Sequence, residues 1–206
     1  MTDRLSLYNE ALRQCGQRKL ATLSDETPAR HYLDDVWDGG GVDHCLQQGL
    51  WNFAIRTVRF DFEPAIAPEF GYAHAFTKPA DFLRLVQIGG NGDFSPPLNA
   101  YEDERGFWWA DVDQLFVRYV SNDALYGQDM SLWTPAFAKF AALHFAFEIA
   151  PRLTSSGSDL ERLERRLRRA RTEARSYDAQ EEPTRFAPAG NWTRARRGGA
   201  SGRRQG

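Results

Sequence analysis

The chain has 206 residues, of which 42% are hydrophobic and 13% aromatic, so it contains enough apolar material for one sizeable domain or two small ones. These fractions exclude wholesale disorder, and no apolar run is long enough to predict a membrane span. The formal net charge of -2 conceals a division, because residues 152–206 carry a net charge of +7 and the preceding residues carry -9. A basic C-terminal part on an acidic body predicts a polar partner or a charged tail.

Helical patterns occupy the first quarter of the chain. Apolar residues recur at helical spacing over residues 2–15, and Gly16 follows in the position of a C-terminal cap. Thr27 and Pro28 predict the N-cap and first turn of a second helix. The three glycines at 39–41 either bend one helix or separate two, and we expect a close helix crossing there.

Residues 55–121 change period and predict β-structure. Alternation over 55–62 and 82–88, and short apolar or aromatic runs at 107–110 and 115–120, indicate strands separated by turn residues. The pattern predicts a small antiparallel sheet of four to six strands, inserted between helical halves.

Helices return after this insertion. Thr134 and Pro135 predict the start of a helix that is apolar nearly all round and therefore buried on most sides. The last predicted helix has Arg and Glu on its outer face and ends at Pro183. Its apolar stripe follows heptad spacing: Leu160, Leu163, Leu167, Ala170, Ala174 and Tyr177.

Taken together, these elements predict an α+β fold, an antiparallel helical bundle with an inserted small antiparallel β-sheet domain and an extended C-terminal tail. The predicted divisions are the N-terminal helices of the bundle (1–54), the β-rich domain (55–121), the C-terminal helices (122–183) and the basic tail (184–206). The tail contains six Arg and no acidic residue, and its 23 residues can reach ~75 Å when fully extended.

The sequence contains no motif that indicates a catalytic, nucleotide or metal site. The four histidines (31, 44, 74 and 144) lack zinc-ligand spacing, and Walker-type, dinucleotide-binding and hydrolase motifs are absent. Cys15 and Cys45 are interpreted as reduced, buried thiols, and the first residues lack the apolar region of a signal peptide. We therefore predict a chain made in a cytoplasm, with no cofactor, no metal ion and no catalytic residue.

Two alternatives start from charged residues. Five carboxylates cluster around the predicted hairpin, and a solvated rim is the favoured interpretation: Glu102, Asp103, Glu104, Asp111 and Asp113. A tail-associated hydrolase would instead use Glu102, Glu104, Asp111 or Asp113 and would need them to converge in a cleft with perturbed pKa values. A DNA-packaging protein would bind phosphates through the Arg-rich last helix and the tail, with an affinity that falls steeply with salt. That helix interleaves its Arg with Glu161, Glu164 and Glu173, which is typical of a solvated or subunit-facing surface.

Several stretches in order along the chain resemble the tail tubular protein A family, the head-to-tail adaptors of short-tailed bacteriophages. They extend over about residues 5–190: ALRQCG (11–16), LSD (23–25), LDDVWD (33–38), CLQQGLWNFA (45–54), FGY (70–72), FTKPADFLR (76–84), YVSND (119–123), LW (132–133) with Phe137, and IAPR (149–152) with Leu153.

The resemblance implies a helical bundle with a β-rich insertion, which assembles as a homo-oligomeric ring, apparently of twelve copies. Such a ring joins the portal protein to the tail nozzle protein in the virion, where it retains DNA and guides it out without sequence-specific binding. The final segment in related adaptors extends towards the portal. We predict that portal contact involves Phe186, Trp192, Arg194, Arg196 and Arg197.

Overall fold

The computed structural model describes residues 2–69, 71–153 and 157–181. Within these residues the chain forms five α-helices, two turns of 3-10 helix (Asn52–Ala54 and Met130–Leu132) and two antiparallel three-stranded sheets. The order is α1 (Arg4–Gln14), α2 (Pro28–Asp38), α3 (Gly41–Gln47), β1 (Ile55–Asp61), β2 (His74–Thr77), β3 (Phe82–Gly89), β4 (Tyr101–Glu104), β5 (Phe107–Ala110), β6 (Gln114–Ser121), α4 (Pro135–Leu153) and α5 (Gly157–Glu181). The predicted mixture of α-helices and a small amount of antiparallel β-structure is confirmed.

Local capping signals determine where the first helices begin and end. The Asp3 side chain accepts a hydrogen bond from the Ser6 backbone N–H at 2.7 Å and starts α1. Gly16, with a φ of 69°, follows α1, and the Gln17 N–H returns to the Leu12 carbonyl at 2.9 Å. This Schellman geometry confirms the predicted stop at Gly16. Thr27 caps α2 as predicted, since its side chain accepts a hydrogen bond from Arg30 N–H.

The glycine run separates two helices. α2 ends at Asp38, and Gly40 reverses the chain with a φ of 82° before α3 begins at Gly41. A Cβ on Gly41 would lie 2.8 Å from Val36 Cγ1 and 3.2 Å from Phe145 Cε2 of α4. The expected close crossing is therefore confirmed, and it is a crossing with α4.

α4 is the central helix of the larger apolar core. It contacts α1, α2, α3 and α5, and it is buried on most sides, as its sequence predicts. Its aromatic side chains pack against Trp51 and Trp133, with ring centroids of Phe137 4.8 Å from Trp51 and 4.9 Å from Trp133. Within the described residues, no helix is long and apolar enough to cross a membrane.

The apolar stripe of α5 differs from the prediction at its last member. Leu163, Ala170 and Ala174 are buried, but Tyr177 is 48% exposed and Asp178 takes the buried position. The Asp178 carboxylate accepts a hydrogen bond from the Asn52 backbone N–H at 3.0 Å, and this partner offsets the cost of burying the carboxylate. The predicted end at Pro183 and the tail over 184–206 lie outside the described residues.

The β-structure forms two sheets of order β1-β6-β3 and β2-β5-β4, where the sequence predicted a single sheet. The four predicted strands are present, and β2 and β4 are additional. A second apolar core contains Phe76, Trp108 and Val117 from facing strands. β6 separates this core from the helical one, because Val117 and Tyr119 belong to the second core and Val120 to the first.

Candidate functional site

The residues predicted to contact a portal lie outside the described residues, and they are Phe186, Trp192, Arg194, Arg196 and Arg197. Their point of attachment is nonetheless defined by the end of α5. There the Asn52 backbone and side-chain N–H groups donate to the Asp178 carboxylate and carbonyl, each at 3.0 Å. The last described turn of α5 therefore lies beside the 3-10 turn that leads into β1.

The outer face of α5 is charged, and most of its charge is paired within the helix. Its 25 residues include seven Arg and six acidic residues. Four ion pairs link side chains one turn apart: Arg162–Asp159 at 3.0 Å, Arg165–Glu161 at 3.6 Å, Arg169–Glu173 at 2.8 Å, and Arg168–Glu164. The other three, Arg166, Arg171 and Arg175, form no ion pair with another described residue. The helix therefore presents a nearly balanced surface, with few cations left for phosphates.

The β4–β5 hairpin has an inner and an outer face with different carboxylates. Asp103 lies opposite Trp108 in the sheet register and belongs to the inner face. Its carboxylate accepts hydrogen bonds from Lys78 Nζ at 2.5 Å and Trp108 Nε1 at 3.1 Å. Strand alternation places Glu102, opposite Trp109, on the outer face.

The outer face contains a groove of about 260 Å³, lined by Glu69, Tyr72, Glu102, Glu104 and Trp109 together with Ala67 and Pro68. None of its three carboxylates forms an ion pair with a described residue. The indole N–H of Trp109 is shielded from solvent and has no hydrogen-bond acceptor among the residues that the structure describes. We call these residues the β4–β5 groove.

The remaining predicted carboxylates lie elsewhere on the surface. The Asp111 carboxylate accepts a hydrogen bond from the Ala73 backbone N–H at 2.7 Å. The Asp113 side chain is 94% exposed and lies 3.9 Å from His74 Nε2. Both line a different depression from the β4–β5 groove, so the structure divides the carboxylates of the enzyme hypothesis between two places.

Two histidines from different helices form a stacked pair that the sequence did not predict. The rings of His44 on α3 and His144 on α4 have centroids 4.7 Å apart and an interplanar angle of 20°. They line a cleft of about 370 Å³ together with Glu148, whose carboxylate lies 3.9 Å from His144 Nδ1. Burial, together with the neighbouring His44, lowers the pKa of His144 to about 4. We attribute this to desolvation, because His144 is 8% exposed and the more exposed Glu148 is too far for a close ion pair.

The other candidate ligands are dispersed. His31 lies 3.3 Å from the exposed Glu26 carboxylate, and the His74 ring packs on Phe62 at 4.1 Å between centroids. In the described part of the chain, no three His, Cys, Asp or Glu side chains are arranged to hold a metal ion.

The predicted burial is confirmed for Cys45, but Cys15 is only partly buried at the end of α1. Cys15 and Cys45 are free thiols, and Cys45 is fully buried in the helical core. Burial raises the pKa of both thiols and so disfavours the reactive thiolate.

A scan against protein-family models and a search of curated proteins found no match to this chain. The residues themselves therefore provide the argument for function.

The sequence contained part of the signal for the β4–β5 groove. The acidic residues were recognised as a rim of the predicted hairpin, but their division into two faces depends on the register that pairs Glu102 with Trp109 and Glu104 with Phe107. The His44–His144 pair had no local signal, because 100 positions separate its members.

Proposed function

We propose that this chain is a head-to-tail adaptor of the tail tubular protein A type. Copies of it assemble into a ring between the portal protein and the tail nozzle protein of a short-tailed bacteriophage virion. The ring forms in the host cytoplasm, retains packaged DNA and guides it out. It acts as a structural protein without cofactor or catalytic chemistry.

The observation that carries this proposal is the order of the elements. Helices α1–α3 precede all six strands of the described chain, and α4 and α5 follow them. The resemblance of residues 5–190 to the adaptor family implies the same order. We propose that the helices form an antiparallel bundle, that the β-structure is its inserted domain, and that residues 184–206 form the extended tail.

Assembly into a ring requires two different faces on each copy, because a head-to-tail contact that closes by rotation is heterologous. The outer face of α5 offers a broad surface of alternating charge for one side of such a contact. In the proposal, Arg and Glu side chains that pair within α5 form ion pairs with a neighbouring copy in the ring. The ring contains twelve copies.

The acidic body provides a rationale for DNA passage. Residues 1–151 carry a net charge of -9, and a ring repeats that charge with every copy. Acidic residues that line a channel repel phosphates and allow DNA to move without sequence-specific binding. The basic tail is then the portal-binding element, with Phe186 and Trp192 as apolar anchors and Arg194, Arg196 and Arg197 as charged contacts.

Native mass spectrometry of the full chain, alone and mixed with its cognate portal, tests the assignment. We expect a closed multimer with portal, and loss of portal binding when residues 184–206 are deleted. A chain that ignores portal but shifts on duplex DNA with a steep salt dependence is instead the DNA-packaging protein. In that outcome the adaptor function is wrong.

A further inference from the structure

The outer face of the β4–β5 hairpin combines flat aromatic rings with carboxylates. Phe107 and Trp109 lie two positions apart on β5, so they share one face, and their ring centroids are 5.8 Å apart. The register places Glu102 beside Trp109 and Glu104 beside Phe107. The outer face therefore carries two neighbouring cross-strand pairs, each of which combines one aromatic ring with one carboxylate.

The charge of this face is not neutralised within the described residues. Lys78 donates to the Glu104 backbone carbonyl at 3.2 Å but forms its ion pair with Asp103 on the inner face, and Arg105 at the hairpin turn forms no ion pair with a described residue. Glu102 and Glu104 line the groove together with Glu69, and none of these carboxylates has an ion-pair partner among the described residues.

This combination fits a guanidinium group better than an ammonium group. A guanidinium is planar, so it can stack on Trp109 or Phe107 while it donates paired hydrogen bonds to a carboxylate. An ammonium group offers a single point charge and no flat face. The chemistry of the groove therefore points to arginine.

An arginine-rich segment is present in the chain itself. Residues 183–206 contain six Arg, no Lys and no acidic residue, and Arg194, Arg196 and Arg197 cluster beside Trp192. The 13 residues from Glu181 to Arg194 can span roughly 40 Å when extended, which is about the width of a domain of this size. The end of α5 lies beside Asn52, just before β1, and the seven residues of β1 span roughly 23 Å. After β1 the Glu63 N–H donates to the Ala75 carbonyl at 2.8 Å, and Ala75 lies opposite Trp109, so an extended segment of this length can reach the groove.

We propose that the β4–β5 groove binds the arginine cluster of the chain's own C-terminal segment, with a guanidinium of Arg194, Arg196 or Arg197 stacked on the aromatic rings and paired with Glu102 and Glu104. This interaction belongs to the free chain and does not depend on the adaptor function. Where that function holds, the portal competes with the groove for the same residues, and the groove keeps the basic segment covered until assembly.

Limited trypsin digestion of the full chain, followed by intact mass spectrometry, measures how accessible the arginine cluster is. In Glu102→Gln/Glu104→Gln we expect cleavage after Arg194, Arg196 and Arg197 to be about tenfold faster, which corresponds to about 1.4 kcal/mol of lost binding. The matched control Asp93→Asn/Asp113→Asn removes two exposed carboxylates outside the groove and should digest like the unmodified chain. Adding salt should accelerate cleavage of the unmodified chain towards the rate of the groove variant.

A charge swap provides the second measurement. Glu102→Arg/Glu104→Arg should expose the segment, and combining it with Arg194→Glu/Arg196→Glu/Arg197→Glu should restore its protection, read at Arg203 and Arg204. Equal cleavage rates in the unmodified chain and the glutamine variant would overturn the proposal. Protection that rises with protein concentration would also overturn it, because the occupant would then be the segment of a second copy.

Discussion

Carboxylates in two regions of the β-structure have opposite surroundings. Asp81, just before β3, accepts hydrogen bonds from Arg56 Nη1 at 2.9 Å, the Tyr119 hydroxyl at 3.1 Å and Ser121 Oγ at 2.5 Å. Burial opposes the charge of this carboxylate, but the hydrogen bonds from Ser121, Arg56 and Tyr119 outweigh it and hold the pKa of Asp81 below its usual value. Glu102 and Glu104 lie opposite aromatic residues of β5, and neither carboxylate forms an ion pair with a described residue.

The difference separates a structural role from a surface role. The donors of Asp81 come from β1 and β6, so this carboxylate holds the β1-β6-β3 sheet together at one end. The carboxylates of the β4–β5 groove join nothing within the described chain, and removing their charge breaks no described contact. Mutations in the two regions should therefore act on different properties.

The largest effect is expected at the Asp81 junction. Asp81→Ala leaves the Arg56 guanidinium and the Tyr119 and Ser121 hydroxyls without their common acceptor, and we expect the free energy of unfolding to fall by about 3 kcal/mol. Because the pKa of Asp81 is lowered in the fold, its contribution is present above the usual aspartate pKa and is lost as pH falls below about 4. Urea unfolding of the unmodified chain and of Asp81→Ala at pH 7 and pH 3 measures the loss of stability and its dependence on pH. A loss that is the same at both pH values would contradict this account.

A smaller effect is expected from the buried His144, which has neither a close counter-charge nor the donors of Asp81. Its pKa falls from the usual 6.5 to about 4 in the fold, so the unfolded chain binds the proton more tightly. The stability is fully present above pH 6.5 and declines as pH falls towards 4. Between pH 7 and pH 5 we expect a loss of about 2 kcal/mol in the unfolding free energy. Urea unfolding of His144→Phe over the same pH range should remove most of this slope.

The smallest effect on stability is expected at the β4–β5 groove. Glu102→Gln/Glu104→Gln should change the unfolding free energy by no more than about 0.5 kcal/mol, because both side chains are exposed and neither has an ion-pair partner in the described chain. Thermal unfolding of this variant beside Asp81→Ala measures the contrast directly. A loss of several kcal/mol would mean that these carboxylates stabilise the fold in the same way as Asp81.

Local signals explain which parts of the fold the sequence predicted. Thr27 with Pro28, and Gly16 after an apolar stripe, are read within a few residues, and both lie where predicted. β4 was missed because Tyr101–Glu104 has three acidic residues out of four and low intrinsic strand preference. Its conformation comes from pairing with β5, a contact that no single stretch encodes. The division into two sheets has the same origin.

The candidate sites were less predictable for a related reason. Acidic residues near a hairpin are visible in the sequence, but the orientation of Glu102 and Asp103 to opposite faces requires the register. The burial of Asp178 in place of Tyr177 required knowledge that Asn52 supplies its donors. The sequence therefore showed where the charged residues are, but only the tertiary contacts showed which of them have hydrogen-bond or ion-pair partners.

The pairing of β1 with β6 also bears on how this architecture can diversify. Ile55, where the chain enters the β-structure, lies opposite Val120, where the chain leaves it. Paired residues on neighbouring antiparallel strands are about 5 Å apart, so the chain enters and leaves the β-structure at adjacent positions. Loops and hairpins beyond that point can lengthen, shorten or be exchanged by recombination while the spacing of the flanking helices is preserved. The β2-β5-β4 sheet contributes no described residue to the larger helical core, so it can change with little consequence for the helices.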